Sequence, residues 1–229
     1  MNKIIRKIQY SEKVYRFDVE APLIAKSRKA GNFVIIRVDA NSERMPLTIA
    51  DADIEKGTIT LVVQKVGLSS TKLCNLNEGD EIHDVVGPLG NPTHIENFGT
   101  VLCAGGGVGV APMLPIIKAL KAAGNRVLSV IAGRSKDLVI MEDEVRASSD
   151  ELIIMTDDGS YGEKGVVTVG MEKLIQQEHI DKAFAIGPPI MMKFCCLLTQ
   201  KYNLPTDVSL NTIMVDGTGT VSYTHLRAH

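Results

Sequence analysis

Val101-Leu-Cys-Ala-Gly-Gly-Gly-Val-Gly-Val-Ala-Pro112 sets a short apolar run ahead of four glycines within five residues, and a helix-like pattern follows from Ala111 to Ala123. A strand that ends in glycines and turns into a helix is the form of a phosphate-binding turn. Glycine lets backbone approach an anion closely, and the first turn of the helix offers free N–H groups and the positive end of its dipole. The spacing is not the G-x-G-x-x-G of a dinucleotide fingerprint, because Val110 stands where the third glycine would fall. By itself the loop fits a structural tight turn as well as a ligand site, so its meaning depends on its neighbours.

Downstream, strands predicted at Thr100–Ala104, Arg126–Ala132, Glu151–Thr156 and Ala183–Ile186 alternate with helices predicted at Ala111–Ala123, Leu138–Ala147, Val167–His179 and Pro189–Tyr202. Such alternation predicts a doubly wound parallel sheet over residues 99–205, with a further short strand at Thr206–Leu210. Ligands of these sheets bind beyond the carboxyl ends of the strands. Gly105–Gly109, Gly133-Arg-Ser135, Asp157-Asp-Gly-Ser160 and Gly187-Pro-Pro189 all fall there, and all are glycine-rich or small and polar.

Upstream, residues 1–98 read as β. Alternating or β-branched runs occur at Lys3–Gln9, Lys13–Glu20, Phe33–Asp39, Met45–Ala50, Thr58–Val66 and Glu81–Val86, punctuated by Gly31, Gly57, Gly79 and the Gly87-Pro-Leu-Gly90 turn. Six short strands predict a small antiparallel barrel, with one helical piece at Ser70–Leu76.

Composition narrows the function classes. Hydrophobic residues at 45% and charged residues at 23% predict a packed core. A net charge of −2 and 4% aromatics give no case for nucleic-acid binding. No apolar run approaches the ~20 residues of a membrane span, and the early basic residues alternate with apolar ones as on a strand, so a cytoplasmic location is expected. Cys74, Cys103, Cys195 and Cys196 form no C-x-x-C and read as buried free thiols.

Two stretches of the β region carry candidate anion chemistry. In Arg44-Met-Pro-Leu-Thr-Ile-Ala50 the guanidinium offers a fork of donors for phosphate, Thr48 a hydroxyl and Pro46 a rigid apolar edge; an ordinary strand with a surface arginine fits equally. In Gly67-Leu-Ser-Ser-Thr-Lys-Leu73 the hydroxyls at a helix start form either an anion cradle or a simple cap.

The order R-x-P-L-T, G-x-S-S-T-x-x-L, G-P-L-G and G-G-G-V-G-x-A-P resembles the ferredoxin–NADP reductase superfamily over residues 1–220. More narrowly the chain is similar to the small, electron-transfer subunits of ferredoxin:NADP oxidoreductase (also called sulfide dehydrogenase) and of dihydroorotate dehydrogenase. Thr156-Asp-Asp-Gly-Ser-Tyr-Gly162, Gly187-Pro-Pro-Ile-Met-Met192 and Met214-Val-Asp-Gly-Thr-Gly219 carry that narrower likeness. The resemblance implies FAD in the barrel, held by Arg44, Pro46, Leu47, Thr48, Gly67, Ser70 and Thr71. It places Gly106, Gly107, Gly109, Arg134, Asp158 and Gly187 beside NAD(P)H as substrate, with NAD against NADP left open by Arg134 and Lys136. It further implies an oxidoreductase that passes electrons through a 2Fe–2S cluster to a larger catalytic flavoprotein subunit in a heterodimer, with ferredoxin as a further partner. A non-catalytic flavin-binding or assembly module and a plain nucleotide-binding domain are the alternatives.

In the resembled family the D-G-T-G segment leads into M-C-G-x-C, whose thiolates begin the cluster site. Here Thr220 is followed by Val-Ser-Tyr-Thr-His-Leu-Arg-Ala-His229, without cysteine. Those residues are what a transposase-type sequencing adapter encodes in one frame (GTC TCT TAT ACA CAT CTC CGA GCC CAC). Residues 221–229 are therefore expected to be a non-native tail, residues 206–220 the start of a truncated iron–sulfur segment, and His225 and His229 no metal ligands.

Overall fold

The computed structural model describes residues 2–210. The first part is an antiparallel sheet built from β1 (Asn2–Gln9), β2 (Val14–Glu20), β3 (Phe33–Arg37), β4 (Met45–Asp53), β5 (Thr58–Gln64), β6 (Glu81–Ile82) and β7 (Asp84–Leu89), in the order β6-β1-β2-β5-β4-β3-β7. Alternate residues point inward, and Ile4, Phe17, Val19, Val34, Ile36, Ile49, Ile59 and Leu61 form its core.

The barrel thus has seven strands where the sequence predicts six. The run Glu81–Val86 divides at His83: Ile82 pairs with Asn2 of β1, whereas Asp84 pairs with Arg37 of β3, where the two side chains also form a 2.6 Å ion pair. One stretch of chain serves both edges of the sheet and closes it, which alternation alone could not reveal. A second difference is α1 (Pro22–Ser27), a six-residue helix begun by proline that buries Ile24 and Ala25. It is too short to show a helical period. The predicted helical piece appears as α2 (Leu68–Asn75).

The second part is a parallel sheet of β8 (Thr100–Gly106), β9 (Arg126–Gly133), β10 (Glu151–Thr156), β11 (Glu163–Lys164), β12 (Lys182–Ile186) and β13 (Thr206–Val208), ordered β11-β10-β9-β8-β12-β13. The chain winds outward from β8 to β11, then crosses back to lay β12 on the other side of β8. Pleating sends Val101, Cys103, Val127, Ile131 and Phe184 towards α3 (Val110–Ala122) and α4 (Glu142–Ser148). Leu102, Ala104, Leu128, Val130 and Met155 face α5 (Val167–Gln177) and α6 (Pro189–Lys201). Helices on both faces make this the expected doubly wound sheet. Helix α4 starts later than predicted, because Lys136–Leu138 forms a single 3-10 turn and Met141 takes a left-handed φ of 55°. Its first turn, Glu142, Asp143 and Glu144, suits the positive end of the helix dipole.

Helix α3 joins the two parts. Val14, Ala30 and Ala50 of the barrel region share one buried cluster with Met113, Leu114, Ile117 and Leu120 of the helix. Two ion pairs brace this seam. Lys118 of α3 meets Asp51 of β4 at 2.6 Å, and Arg16 of β2 meets Glu144 of α4 at 2.7 Å. Arg16 also bonds Asp18 at 3.0 Å, and both side chains are 15% exposed, so these charges are screened less than surface pairs.

Ile117 is fully buried in the shared cluster. Ile117→Ala is expected to cost about 2–5 kcal/mol, the range for emptying a packed aliphatic site. Urea denaturation followed by circular dichroism measures it, and a loss under about 1 kcal/mol would show that the cluster is not well packed.

A sheet edge and a barrel cradle meet at one seam

At the carboxyl edge of the parallel sheet, β8 runs into the 3-10 turn Gly107–Gly109 and then α3. The glycines of this loop do different work. A Cβ on Gly109 would lie 2.5 Å from the carbonyl oxygen of Ile186 and 2.7 Å from Cα of Gly187, so the loops after β8 and β12 pack backbone to backbone. Gly106 and Gly187 leave room for the thioether of Met191, which covers both. Gly107 differs: its φ is +54° and nothing lies within 4 Å of where its Cβ would be. It is the glycine whose bareness faces open space, at the positive end of α3.

Along the same edge, the loops after β9 and β10 are tied together. The N–H of Asp157 donates to the carbonyl of Gly133 at 3.1 Å and that of Asp158 to Arg134 at 3.2 Å. The N–H of Lys136 donates to the Ser160 hydroxyl oxygen at 2.9 Å. The Ser160 hydroxyl, and then its N–H, hold the Asp158 carboxyl below the usual carboxylate range. Asp158 therefore spends its charge shaping its own turn, while Arg134 is exposed. The Lys136 ammonium sits 5.4 Å from the centre of the Tyr161 ring, and the Tyr161 hydroxyl donates to Glu142 at 2.9 Å. Tyr161 and Met191 fall inside motifs that the sequence marks, but the cover Met191 lays on the glycines and the Tyr161–Glu142 contact were not visible in it.

The barrel stretches also converge. Arg44 is exposed just before β4; Pro46, Leu47 and Thr48 pair with Ile35, Val34 and Phe33 of β3. The segment ahead of Arg44 is stitched to α2. Lys72 bonds Asp39 at 2.9 Å, and the Ser69 hydroxyl lies 3.4 Å from Glu43. The Lys72 ammonium, then the Ser42 hydroxyl, lower the Asp39 pKa to about 2. This sets Arg44 beside the start of α2. Gly67, before the helix, has nothing within 4 Å of where its Cβ would be. Ser70 is different. It is buried, and its hydroxyl oxygen accepts the N–H groups of Val66 at 3.0 Å and Gly67 at 2.9 Å. Its hydroxyl is committed to the turn, and Thr71 remains half-buried beside it.

The barrel strand β5, which leads into α2, comes close to the Gly107–Gly109 turn. Among the described residues no three His, Cys, Asp or Glu side chains lie together in a metal-binding group. Cys74, Cys103 and Cys195 are buried, and Cys196 is half-buried. Burial pushes the thiols of Cys103 and Cys195 up. These cysteines do not fit an iron–sulfur cluster. The expected iron–sulfur segment from residue 211 onward and the tail 221–229 lie outside the described residues. Among those described, no helix is long and apolar enough to cross a membrane.

No family model matches the sequence. Over 219 residues it is 50% identical to a dihydroorotate dehydrogenase B (NAD(+)) electron transfer subunit homolog of Thermotoga maritima, covering 96% of this chain and 77% of that one. The electron transfer subunit of dihydroorotate dehydrogenase B (NAD(+)) from Fusobacterium nucleatum is 31% identical, with 81% and 74% covered. Among solved structures, that of an NADH-dependent reduced ferredoxin-NADP oxidoreductase, described for flavin-based electron bifurcation, superposes with a TM-score of 0.91 at 46% identity, over 96% of this chain and 80% of that one. Phthalate dioxygenase reductase shares the fold at a TM-score of 0.65 and 19% identity.

The glycines give a paired prediction. Gly109→Ala forces backbone apart and should lower the melting temperature sharply, by mechanisms worth several kcal/mol. Gly107→Ala meets only its φ, a strain of about 1–2 kcal/mol. Thermal melts of both variants should rank them in that order, and equal losses would contradict the division.

Proposed function

Because the chain belongs to the family of dihydroorotate dehydrogenase B electron transfer subunits and their homologues, we propose that it is the nicotinamide-oxidising, electron-relaying subunit of a two-subunit flavoenzyme. The observation that carries the reading is the shared seam. The glycine turn at Gly107 approaches β5, the strand that leads into α2, and α3, which begins at that turn, packs on β4, the strand that follows Arg44.

Residues 1–98 would form the flavin-binding part and residues 99–205 the nucleotide-binding part. FAD, when bound, supplies the change from two-electron hydride chemistry to single-electron transfer. The chain's own residues bind and orient. Arg44 offers a fork to a pyrophosphate, and Gly67 and Thr71 offer backbone and hydroxyl beside it. Exposed Pro46 and half-buried Thr48 present the strand to the cradle while Leu47 packs on the barrel core, and Ser70 holds the turn that shapes it. On the sheet edge Gly107 lets a nucleotide phosphate reach backbone, while Gly106, Gly109 and Gly187 keep the two central loops close enough to form the crevice. Arg134 adds positive charge beyond β9, and Asp158 fixes the neighbouring loop. Hydride transfer needs no side-chain acid or base, which fits an edge whose one perturbed carboxylate is engaged in its own turn.

The partner is a larger catalytic subunit. Likeness to the Thermotoga homolog favours a dihydroorotate-oxidising partner, and likeness to the solved oxidoreductase favours one of the ferredoxin–NADP type. The acceptor reduced by the copurified complex distinguishes them. Residues 206–220, which start with the sheet-edge strand β13, would begin an iron–sulfur segment, to be read from the iron and sulfide content of the copurified complex.

An absorbance spectrum before and after NADH and NADPH is the direct test: the purified protein should carry FAD and bleach on reduction. Arg44→Ala should weaken FAD affinity about ten- to a hundredfold, matching ~1.5–3 kcal/mol for a lost charge-assisted contact. Flavin retained through dialysis as firmly as in the parent would remove Arg44 from the cradle. Gly107→Val should keep its flavin and lose rapid reduction by NADH; unchanged reduction kinetics would remove the glycine edge from the nucleotide site.

A further inference from the structure

Away from both the glycine edge and the cradle, a cavity of about 680 Å³ opens where the barrel meets the flank of α3. Two separate pieces of chain supply its three cations: Arg28 and Lys29 from the segment after α1, and Lys118 from the third turn of α3. Lys118 lies eight residues beyond Val110, about 12 Å along the helix from the glycine loop. The facing carboxylate is Asp51, shared by Arg28 at 3.4 Å and Lys118 at 2.6 Å. Lys29 forms no ion pair among the described residues, and His94, also in the lining, meets Glu96 at 3.2 Å. Three permanent cations thus face one carboxylate. Pro92, Ile95 and Pro115 provide stiff apolar walls between them.

We propose that this cavity is a binding site for a small organic molecule carrying a pyrophosphate or two phosphate groups. Its volume falls within the range of about 300–1,000 Å³ that such ligands fill. Charge supplies the selection. An arginine fork and two ammonium groups match several phosphate oxygens, whereas a monovalent anion leaves most of that charge unmet. The apolar walls receive the body of the molecule. Arg28 and Lys118 exchange part of their hold on Asp51 for the ligand, so occupancy acts at the brace between barrel and α3. The site does not depend on the flavin or nicotinamide assignments, since it shares no residue with them.

Isothermal titration of the FAD-loaded full chain with inorganic pyrophosphate, against sulfate at matched ionic strength, tests the assignment. Saturable sub-millimolar binding of pyrophosphate is expected, with sulfate at least tenfold weaker. Lys29→Glu should weaken pyrophosphate at least tenfold and Lys29→Gln by less, because Lys29 takes no part in the brace. Arg134→Gln, on the glycine edge, should leave the affinity within twofold. No saturable heat, equal binding of sulfate, an unaffected Lys29→Glu variant, or loss of binding in Arg134→Gln would each overturn the proposal.

Discussion

Everything that positions chemistry in this molecule depends on α3 having two obligations at once. Its buried face closes the parallel sheet through Met113, Leu114, Ile117 and Leu120, and the same cluster takes in Val14, Ala30 and Ala50 from the barrel. Its first residue follows the glycine turn directly. The turn, the sheet and the barrel are therefore set by one rigid body. Apolar packing fixes the distance between the parts, and Lys118–Asp51 and Arg16–Glu144 fix the rotation about that contact. Ion pairs of this kind add directional preference more than net energy, because desolvation offsets much of their attraction.

The parallel half was nearly all legible in the sequence, and the reason is physical. Its strands are buried on both faces, so they read as continuous apolar runs ended by glycine, and its helices are long enough to show their period. Glu151–Thr156 was bounded correctly for that reason. The strand Glu163–Lys164 was not seen, since two exposed charged residues carry no such mark. In the barrel, alternation located the strands but not their partners, which is why one run turned out to serve two edges at His83. Register depends on contacts distant in sequence, and alternation is silent about these.

The candidate site was legible as residue types and illegible as arrangement. Arg44 and the start of α2 were marked separately, while the contacts that unite them run through Glu43, Ser69, Asp39 and Lys72. A serine at a helix start can serve an anion or a cap, and only geometry showed that the Ser70 hydroxyl is taken by Val66 and Gly67. The glycine run looked uniform. In space Gly106 and Gly109 make room for neighbouring protein, and Gly107 makes room for something else.

The buried thiols have a consequence for a protein that handles electrons. Burial, and then the neighbouring Cys196, raise the Cys195 pKa to about 12, and Cys103 is shifted further in the same direction by burial alone. At neutral pH Cys195 is therefore held as the thiol and not as the nucleophilic thiolate. Peroxide attacks thiolates and spares thiols. A sulfur kept protonated in the core is chemically silent towards peroxide, so Cys103 of β8 and Cys195 of α6 give small, polarisable packing without becoming a point of oxidative failure.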